Sequence, residues 1–227
     1  MPTDLPASKT SASSITGQPL RQELFTSPVI STLYERVLPP LWEMGLRIGG
    51  PDAEYKSAAS HLLGDDDDDT APVEKIALDL SCGTGFVGRR LAASKEFRHV
   101  FALDYSPQML TECIRSIQRE NEEILPISIL RGDAQCLPFQ DDTIDAIHWG
   151  VAMHCVPDVE KAISEVYRVL KKDGKLYATT FLRPFPDVVF RFFTVNELKT
   201  LSYDAGFDST KFKVEGRGVY GIIRATK

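Results

Sequence analysis

The spacing of hydrophobic positions changes near residue 72 of the 227-residue chain. Before that point, apolar residues recur every three or four positions, which predicts a helical region over residues 21–48 and a second helix over 52–63. After it, short apolar runs alternate with stretches of helical spacing. Strands that alternate with helices are typical of a doubly wound, mostly parallel sheet with helices on both faces.

Seven strands are predicted in this second part of the chain. Each is a short apolar run bounded by turn-forming residues, and they lie at residues 76–80, 100–104, 127–130, 143–149, 175–181, 211–215 and 219–226. Helices are predicted between them at residues 86–94, 106–117, 158–171 and 194–205. The last two strands follow each other without a helix, so we expect an antiparallel C-terminal strand.

Composition divides the chain into four regions. Residues 1–20 are rich in Ser, Thr and Pro and lack the apolar segment of a secretory signal, so we expect no secretion and a disordered arm, with a linker or the remnant of an organelle transit peptide as the alternatives. Residues 21–64 are predicted to form a helical cap over the active site. Residues 65–71 contain five adjacent aspartates that repel one another, which predicts an acidic hinge. Residues 72–227 are the predicted core.

The charge balance and the cysteines exclude several classes of protein. The formal net charge of −6 lies entirely in the first 69 residues, and a balanced core argues against a nucleic-acid partner. No window approaches 18 consecutive apolar residues, so no transmembrane segment is expected. The four cysteines have neither disulfide-framework nor zinc-site spacing, which indicates free thiols and no structural metal. We expect a monomer.

A glycine-rich turn follows the first strand of the core. The string from Gly83 to Gly88 matches GxGxxG, and Asp104 follows Gly85 by 19 residues, at the end of the next strand. In nucleotide-binding units, glycine lets the ligand approach the backbone, and such an acid accepts hydrogen bonds from ribose hydroxyls. The motif alone does not exclude an NAD-dependent oxidoreductase, because such enzymes share it.

Two further acids favour a different ligand. Asp79 lies two residues before the turn, where a carboxylate would repel a pyrophosphate but suit an ammonium group. Asp133 follows the third strand and can accept from an adenine amino group. A ligand with a ribose, an adenine and a positive charge is S-adenosylmethionine rather than NAD. The YxxxK pattern at Tyr167–Lys171 is typical of short-chain reductases, but Tyr167 falls on the apolar helix face, which favours a core role.

Four stretches of the core resemble class I S-adenosylmethionine-dependent methyltransferases. They are ALDLSCGTG at 77–85, FALDYSPQML at 101–110, RGDAQCLPFQDDTIDAIHWG at 131–150 and RVLKKDGKLYATT at 168–180. The resemblance implies a Rossmann-like fold and a methyl transfer that converts S-adenosylmethionine into S-adenosylhomocysteine. Ser81 stands where the family usually has the first glycine of the turn.

A narrower resemblance extends over most of the chain. It rests on LFTSPVISTLYER at 24–36, GPDAEY at 50–55, DLSCGTG at 79–85 and MHCVPD at 153–158, which are similar to segments of plant and algal plastid methyltransferases. It implies a plastid location, with the cytoplasm as the alternative.

The resemblance also implies the cofactor site. Asp79 and the backbone of Ser81, Gly83 and Gly85 would hold the methionine end, and Asp104 would hold the ribose hydroxyls. The other residues that it implies, around the adenine and the amino-acid end, are Tyr105, Met109, Asp133, Ala134, Gly150 and Tyr34. Tyr34 is equally consistent with a core aromatic.

The acceptor site is less well defined by the sequence. His154, just past the fourth strand, is the candidate general base because imidazole titrates near neutrality, and a helix-capping role is the alternative. Arg47, Arg183 and Arg191 could bind a small carboxylate-bearing acceptor, or they are solvated surface residues.

Two other functions stay open. The plastid resemblance and five phenylalanines suggest a lipid or quinone-like acceptor; these are Phe181, Phe185, Phe190, Phe192 and Phe193. A non-catalytic binding module that kept the fold is an alternative of another class.

Overall fold

The computed structural model describes residues 50–63, 74–119, 126–183 and 190–227. The predicted arm, the acidic hinge and the cap before residue 50 lie outside these residues. Tyr34, Arg47 and Phe185 lie outside them as well, so their predicted roles stay predictions.

A seven-stranded sheet organises the described residues. Its strands are β1 (Ile76–Leu80), β2 (His99–Asp104), β3 (Ile127–Arg131), β4 (Ile144–Trp149), β5 (Leu170–Phe181), β6 (Phe212–Arg217) and β7 (Tyr220–Thr226). They are ordered β3-β2-β1-β4-β5-β7-β6. Only β7 pairs antiparallel to its neighbours β5 and β6, while the other pairs are parallel. The predicted fold class is confirmed.

Five helices and a short 3₁₀ turn connect the described strands. They are α1 (Gly50–Leu62), α2 (Phe86–Ala93), α3 (Pro107–Arg119), α4 (Val159–Val169) and α5 (Val195–Asp204), with the turn at Met153–Cys155. Local capping explains two of the starts. The Asp158 side chain accepts from the Lys161 amide before α4, and Thr194 and Glu197 form a capping box before α5.

The predicted helix over 158–171 extends two residues too far at its C-terminal end. Leu170 already has extended backbone angles, and β5 begins there. The Asp173–Gly174 turn lies inside β5 as an irregularity, because Asp173 has a φ of 64°. The register with β4 accordingly shifts between Ile144 and Ala146.

Hydrophobic side chains cover both faces of the sheet. On one face, Leu78, Ile147 and Trp149 pack in a cluster that includes Ile163 of α4 and Leu198 of α5. On the other face, the cluster joins α1 and α2 to the sheet through Ala58, Leu91, Ala77, Ala146 and Tyr177. Each fully buried large aliphatic side chain contributes about 1.5–3 kcal/mol, so the clusters fix the helices against the sheet.

Tyr167 belongs to this packing. Its ring meets the Phe207 ring edge to face at 5.0 Å, and it lies against the first of the two hydrophobic clusters. These contacts support the core interpretation of Tyr167 over a reductase motif.

Candidate functional site

The glycine-rich turn lies at the carboxyl end of β1, at the centre of the sheet. Ser81, Gly83 and Gly85 have φ values of 54°, 55° and 74°, in the left-handed region that glycine adopts most easily. A side chain added at Gly83 would meet nothing within 4 Å, so the space above this residue is open. The turn therefore exposes backbone to a ligand.

Asp104 fixes this turn to the end of β2. Its Oδ2 accepts a hydrogen bond from the Gly83 amide at 2.8 Å, and its Oδ1 accepts from the Ser106 amide at 2.8 Å. The Cys82 amide also donates to the Leu103 carbonyl at 3.0 Å. Burial raises the pKa of Asp104 to about 6, although the backbone hydrogen bonds act in the opposite direction.

Seven of the predicted cofactor residues line one cavity at this edge of the sheet. We call it the first cavity, and the seven are Ser81, Gly83, Asp104, Tyr105, Met109, Ala134 and Gly150. Val151 and Val156 add apolar wall. A carboxylate with free lone pairs between an aromatic ring and apolar side chains suits the ribose and adenine of a nucleoside. The residues present therefore fit the adenosine part of S-adenosylmethionine.

Asp133 and Gly85 are not among the residues that line the first cavity. The Asp133 carboxylate accepts from the Gln135 amide at 2.9 Å and from Gln135 Nε2 at 3.0 Å. A side chain at Gly85 would overlap Cys113 Sγ, so glycine there permits close packing of α3. The predicted contacts of Asp133 and Gly85 with the cofactor stay predictions.

A second cavity adjoins the first. The two share Ser81, Gly83, Gly150 and Val151, and the second is larger, at about 290 Å³ against about 90 Å³. Its other walls come from the turn, from α1 and from neighbouring elements, and include Glu54, Asp79, Phe86, His148, Arg119 and Tyr220. A ligand that extends past Gly83 would pass from the first cavity into the second.

Asp79 lies in the second cavity within a buried charge cluster. It is 2% exposed, and its Oδ2 accepts from the Gly88 amide at 2.7 Å. Its Oδ1 lies 2.7 Å from His148 Nδ1, and His148 Nε2 lies 3.4 Å from Glu54 Oε1. Burial would lower the pKa of His148, but the hydrogen bonds with the two carboxylates raise it to about 9. His148 is therefore an imidazolium at neutral pH.

Glu54 connects α1 to three strands. Its Oε1 accepts from Thr179 Oγ1 at 2.7 Å, and its Oε2 accepts from the Tyr220 hydroxyl. Burial alone would raise the pKa of Glu54, but His148 and these hydroxyls lower it below its usual value. A side chain at Gly150 would lie 2.6 Å from His148 Cε1, so glycine at this position leaves room for the ring.

The sequence analysis did not assign Glu54, His148 or Tyr220 to the site. Glu54 lies in the GPDAEY segment and His148 lies two residues before Gly150, so the motifs contained both. Their contact joins positions 94 residues apart, which spacing along the chain does not reveal.

His154 lies in a different environment from the one expected. It is 5% exposed, and its ring contacts the rings of Phe181, Phe190 and Phe192 at centroid distances of 4.9, 5.3 and 6.4 Å. Burial lowers its pKa to about 3. The expectation that this imidazole titrates near neutrality is therefore wrong, and His154 lines neither of the two cavities. Its role as a general base stays a prediction.

The two described arginines of the predicted acceptor site face carboxylates. Arg183 lies 3.7 Å from Glu197, and Arg191 lies 2.7 Å from Glu160 with its guanidinium over the Phe193 ring. Neither lines the first or the second cavity. These contacts favour the surface interpretation of Arg183 and Arg191.

No described helix has the length and apolar character to cross a membrane. No group of three or more His, Cys, Asp or Glu residues in the described part of the chain could hold a metal ion.

The sequence comparisons agree that the chain is similar to methyltransferases. Residues 78–178 match the methyltransferase domain family. An uncharacterised chloroplastic methyltransferase of Arabidopsis thaliana is 35% identical over 193 residues, which cover 82% of this chain and 52% of the relative. The chloroplastic 2-methyl-6-phytyl-1,4-hydroquinone methyltransferase of the same plant is 31% identical over 154 residues, 65% of this chain and 44% of the relative. The chain spans about half the length of the curated relatives it matches.

A solved structure supports the fold. An S-adenosylmethionine-dependent methyltransferase from Aquifex aeolicus superimposes with a TM-score of 0.60 at 18% identity, covering 88% of this chain and 98% of that chain. The family match over residues 78–178 and the relatives make the chain similar to methyltransferases, and its sheet has the Rossmann-like fold of S-adenosylmethionine-dependent methyltransferases. The narrower resemblance to chloroplastic plant methyltransferases is also confirmed.

Proposed function

We propose that the chain transfers a methyl group from S-adenosylmethionine to a small-molecule acceptor. The observation that carries this proposal is the Asp104 carboxylate, which is fixed to the glycine-rich turn and lines a cavity with the Tyr105 ring and apolar side chains. Asp104 would accept from the ribose hydroxyls, and Tyr105, Met109 and Ala134 would contact the adenine. The methionyl part would enter the second cavity past Gly83 and Gly150.

The chemistry supplied by bound S-adenosylmethionine is an activated methyl group on a sulfonium. The protein then has to align the acceptor in line with that methyl group and exclude water. Positioning of this kind can supply roughly 7–11 kcal/mol of barrier lowering. Because Asp104 and the turn are held by backbone hydrogen bonds, the cofactor would be placed by rigid elements rather than by mobile side chains.

We propose a hydroquinone-like aromatic acceptor over a carboxylate-bearing one. Arg183 and Arg191 already face Glu197 and Glu160, so neither is free to bind an acid. One relative is a phytyl-hydroquinone methyltransferase, and others are demethylmenaquinone methyltransferases. The rings of Phe181, Phe190 and Phe192 around His154 give the region after β5 an aromatic character that suits such an acceptor.

The test is transfer of a labelled methyl group by the full chain. Labelled S-adenosylmethionine is supplied with a panel of short-chain hydroquinones and a matched panel of aromatic and aliphatic carboxylic acids, and products are identified by mass spectrometry. We expect label in the hydroquinones with matching release of S-adenosylhomocysteine. Faster transfer to the acids would overturn the acceptor proposal. If neither panel leads to release of S-adenosylhomocysteine, the result counts against both the methyl-transfer proposal and the acceptor proposal.

We also propose a plastid location, because two Arabidopsis relatives are chloroplastic. Immunolocalisation in the source cell should give signal over plastids, and signal confined to the cytoplasm would contradict this.

A further inference from the structure

The buried cluster of Asp79, His148 and Glu54 is larger than the family resemblance requires. The three residues come from β1, β4 and α1, and all three line the second cavity. A single acid at the position of Asp79 was expected to face the cofactor's amino-acid end. The structure places a second carboxylate beside it, joined through one imidazole ring.

Toward a ligand, this cluster can accept hydrogen bonds but has no N–H group left to donate. Both ring nitrogens of His148 are used, because Nδ1 donates to Asp79 and Nε2 donates to Glu54. Each carboxylate oxygen can accept more than one hydrogen bond. Among the described residues, Asp79 Oδ1 pairs with His148, Asp79 Oδ2 with the Gly88 amide and Glu54 Oε2 with the Tyr220 hydroxyl, so each of these oxygens can accept a further hydrogen bond.

The charges of the cluster do not cancel. Two carboxylates and one imidazolium leave one net negative charge in a nearly buried position, which is costly unless a cation offsets it. Arg119 also lines the second cavity, but it lies 4.0 Å from Glu112 of its own helix. The cluster therefore suits a ligand that carries one positive charge and several N–H donors.

We propose that Glu54 and Asp79 jointly bind the methionyl ammonium group of S-adenosylmethionine, and that His148 is the positioning residue that holds the two carboxylates. The assignment rests on the proposed function and adds Glu54 and His148 to its binding site. An ammonium group has three N–H donors, so it can donate to both carboxylates at once. Because Glu54 belongs to α1, the bound amino-acid end also holds this helix against the sheet.

The test compares two ligands that differ at the amino-acid end. S-adenosylhomocysteine carries the ammonium group, whereas 5′-methylthioadenosine has the same nucleoside and lacks the amino acid. We expect Glu54→Gln to weaken binding of S-adenosylhomocysteine by about 10- to 100-fold, as for loss of a charge-assisted hydrogen bond. Binding of 5′-methylthioadenosine should change by less than about twofold, because it depends on the first cavity. Both affinities are measured by calorimetry on the full chain.

His148→Gln tests the positioning role. It removes the imidazolium that holds the two carboxylates in place, so binding of S-adenosylhomocysteine should weaken while binding of 5′-methylthioadenosine stays unchanged. Combined with Glu54→Gln, it should add much less than its separate effect, because both variants act on the same ammonium contact. Additive losses would overturn the positioning role of His148.

Asp52→Asn is the matched control, because Asp52 is an exposed carboxylate of α1 that pairs with Arg90. It should leave both affinities unchanged. Where Glu54→Gln does not fold, Glu54→Asp replaces it, since it keeps the charge but retracts it by one methylene group, and it should still weaken only S-adenosylhomocysteine.

The outcomes separate this inference from the proposed function. If Glu54→Gln weakens binding of both ligands equally, or of neither, the Glu54 assignment is overturned. The proposed function would still be supported as long as the unaltered chain binds the nucleoside. Failure of the unaltered chain to bind either ligand would overturn both.

Discussion

Asp104→Asn should separate cofactor binding from folding. In the proposed complex the carboxylate accepts charge-assisted hydrogen bonds from the ribose hydroxyls, which contribute about 1.5–3 kcal/mol each. Asparagine keeps one acceptor oxygen, so we expect loss of about one such bond. Affinity for S-adenosylhomocysteine should then fall by about 10- to 150-fold at pH 8.

The same substitution should change stability little. Burial raises the pKa of Asp104 from 3.8 to about 6, and a rise of about two pH units corresponds to about 3 kcal/mol in favour of the uncharged form. The Asn side chain is neutral and avoids this cost at pH 8. Asparagine, however, has one acceptor oxygen, and its amide nitrogen only donates, so the amide of either Gly83 or Ser106 loses its partner, and an unpaired buried amide costs about 1–3 kcal/mol. The two effects nearly offset each other.

The pH dependence gives a second measure of Asp104. The folded chain binds this proton more tightly than the unfolded chain, so the stability that the group contributes is fully present below about pH 4 and is lost as the pH rises through about 6. Cofactor affinity should change in the opposite direction and weaken as the pH falls through about 6, because the carboxyl then no longer accepts from both hydroxyls. The Asn variant should lack this dependence.

The assay is calorimetric titration with S-adenosylhomocysteine between pH 5 and 8, together with urea unfolding of the same samples. Asp208→Asn is the control, since Asp208 is an exposed acid whose carboxylate accepts from the amide and hydroxyl of Thr210. An Asn variant at position 104 with unchanged affinity, or with affinity and stability lost together, would refute the reasoning.

Three other predictions concern stability and are measured by urea unfolding. Between about pH 6.5 and 4, the unfolded chain protonates His154 while the buried ring, with its pKa of about 3, stays neutral, so the free energy of unfolding falls by up to about 1.4 kcal/mol per pH unit. His154→Phe should remove this part of the pH dependence, and an unchanged slope would contradict the burial of His154. Gly88→Ala should cost about 1–3 kcal/mol, since the new methyl group would lie 2.7 Å from Asp79 Oδ2, and a neutral effect would contradict this close contact between α2 and Asp79. Thr194→Ala should cost about 1 kcal/mol by removing the capping box of α5, whereas Thr194→Ser should retain most of it.

Local patterns predicted the parts of the site that depend on neighbours in the sequence. The strand, turn and helix around Gly83 follow from apolar runs and glycine positions, and Asp104 follows because parallel strands end at the same edge of a sheet. The register places Asp79 beside Ala102 and next to His148 of β4. The alternation of strands and helices was therefore sufficient to predict the fold, and the motifs contained seven of the residues that line the first cavity.

The remaining features depend on contacts between distant segments. His148 reads as one residue of a buried strand, and only the packing of α1 shows that its ring joins Asp79 to Glu54. His154 was assigned a base role from the usual titration of imidazole, but three aromatic rings exclude water from it and lower its pKa. The charge of a histidine depends on how deeply its ring is buried and on which groups it contacts, and the neighbouring residues in the sequence show neither.

Parallel calorimetric titrations of the full chain with S-adenosylhomocysteine and with NAD test the central claim most directly. We expect one site for S-adenosylhomocysteine with micromolar or tighter affinity, and no binding of NAD, because Asp79 and Glu54 present negative charge where a pyrophosphate would lie. Binding of NAD in preference to S-adenosylhomocysteine, or no binding of S-adenosylhomocysteine, would contradict the account.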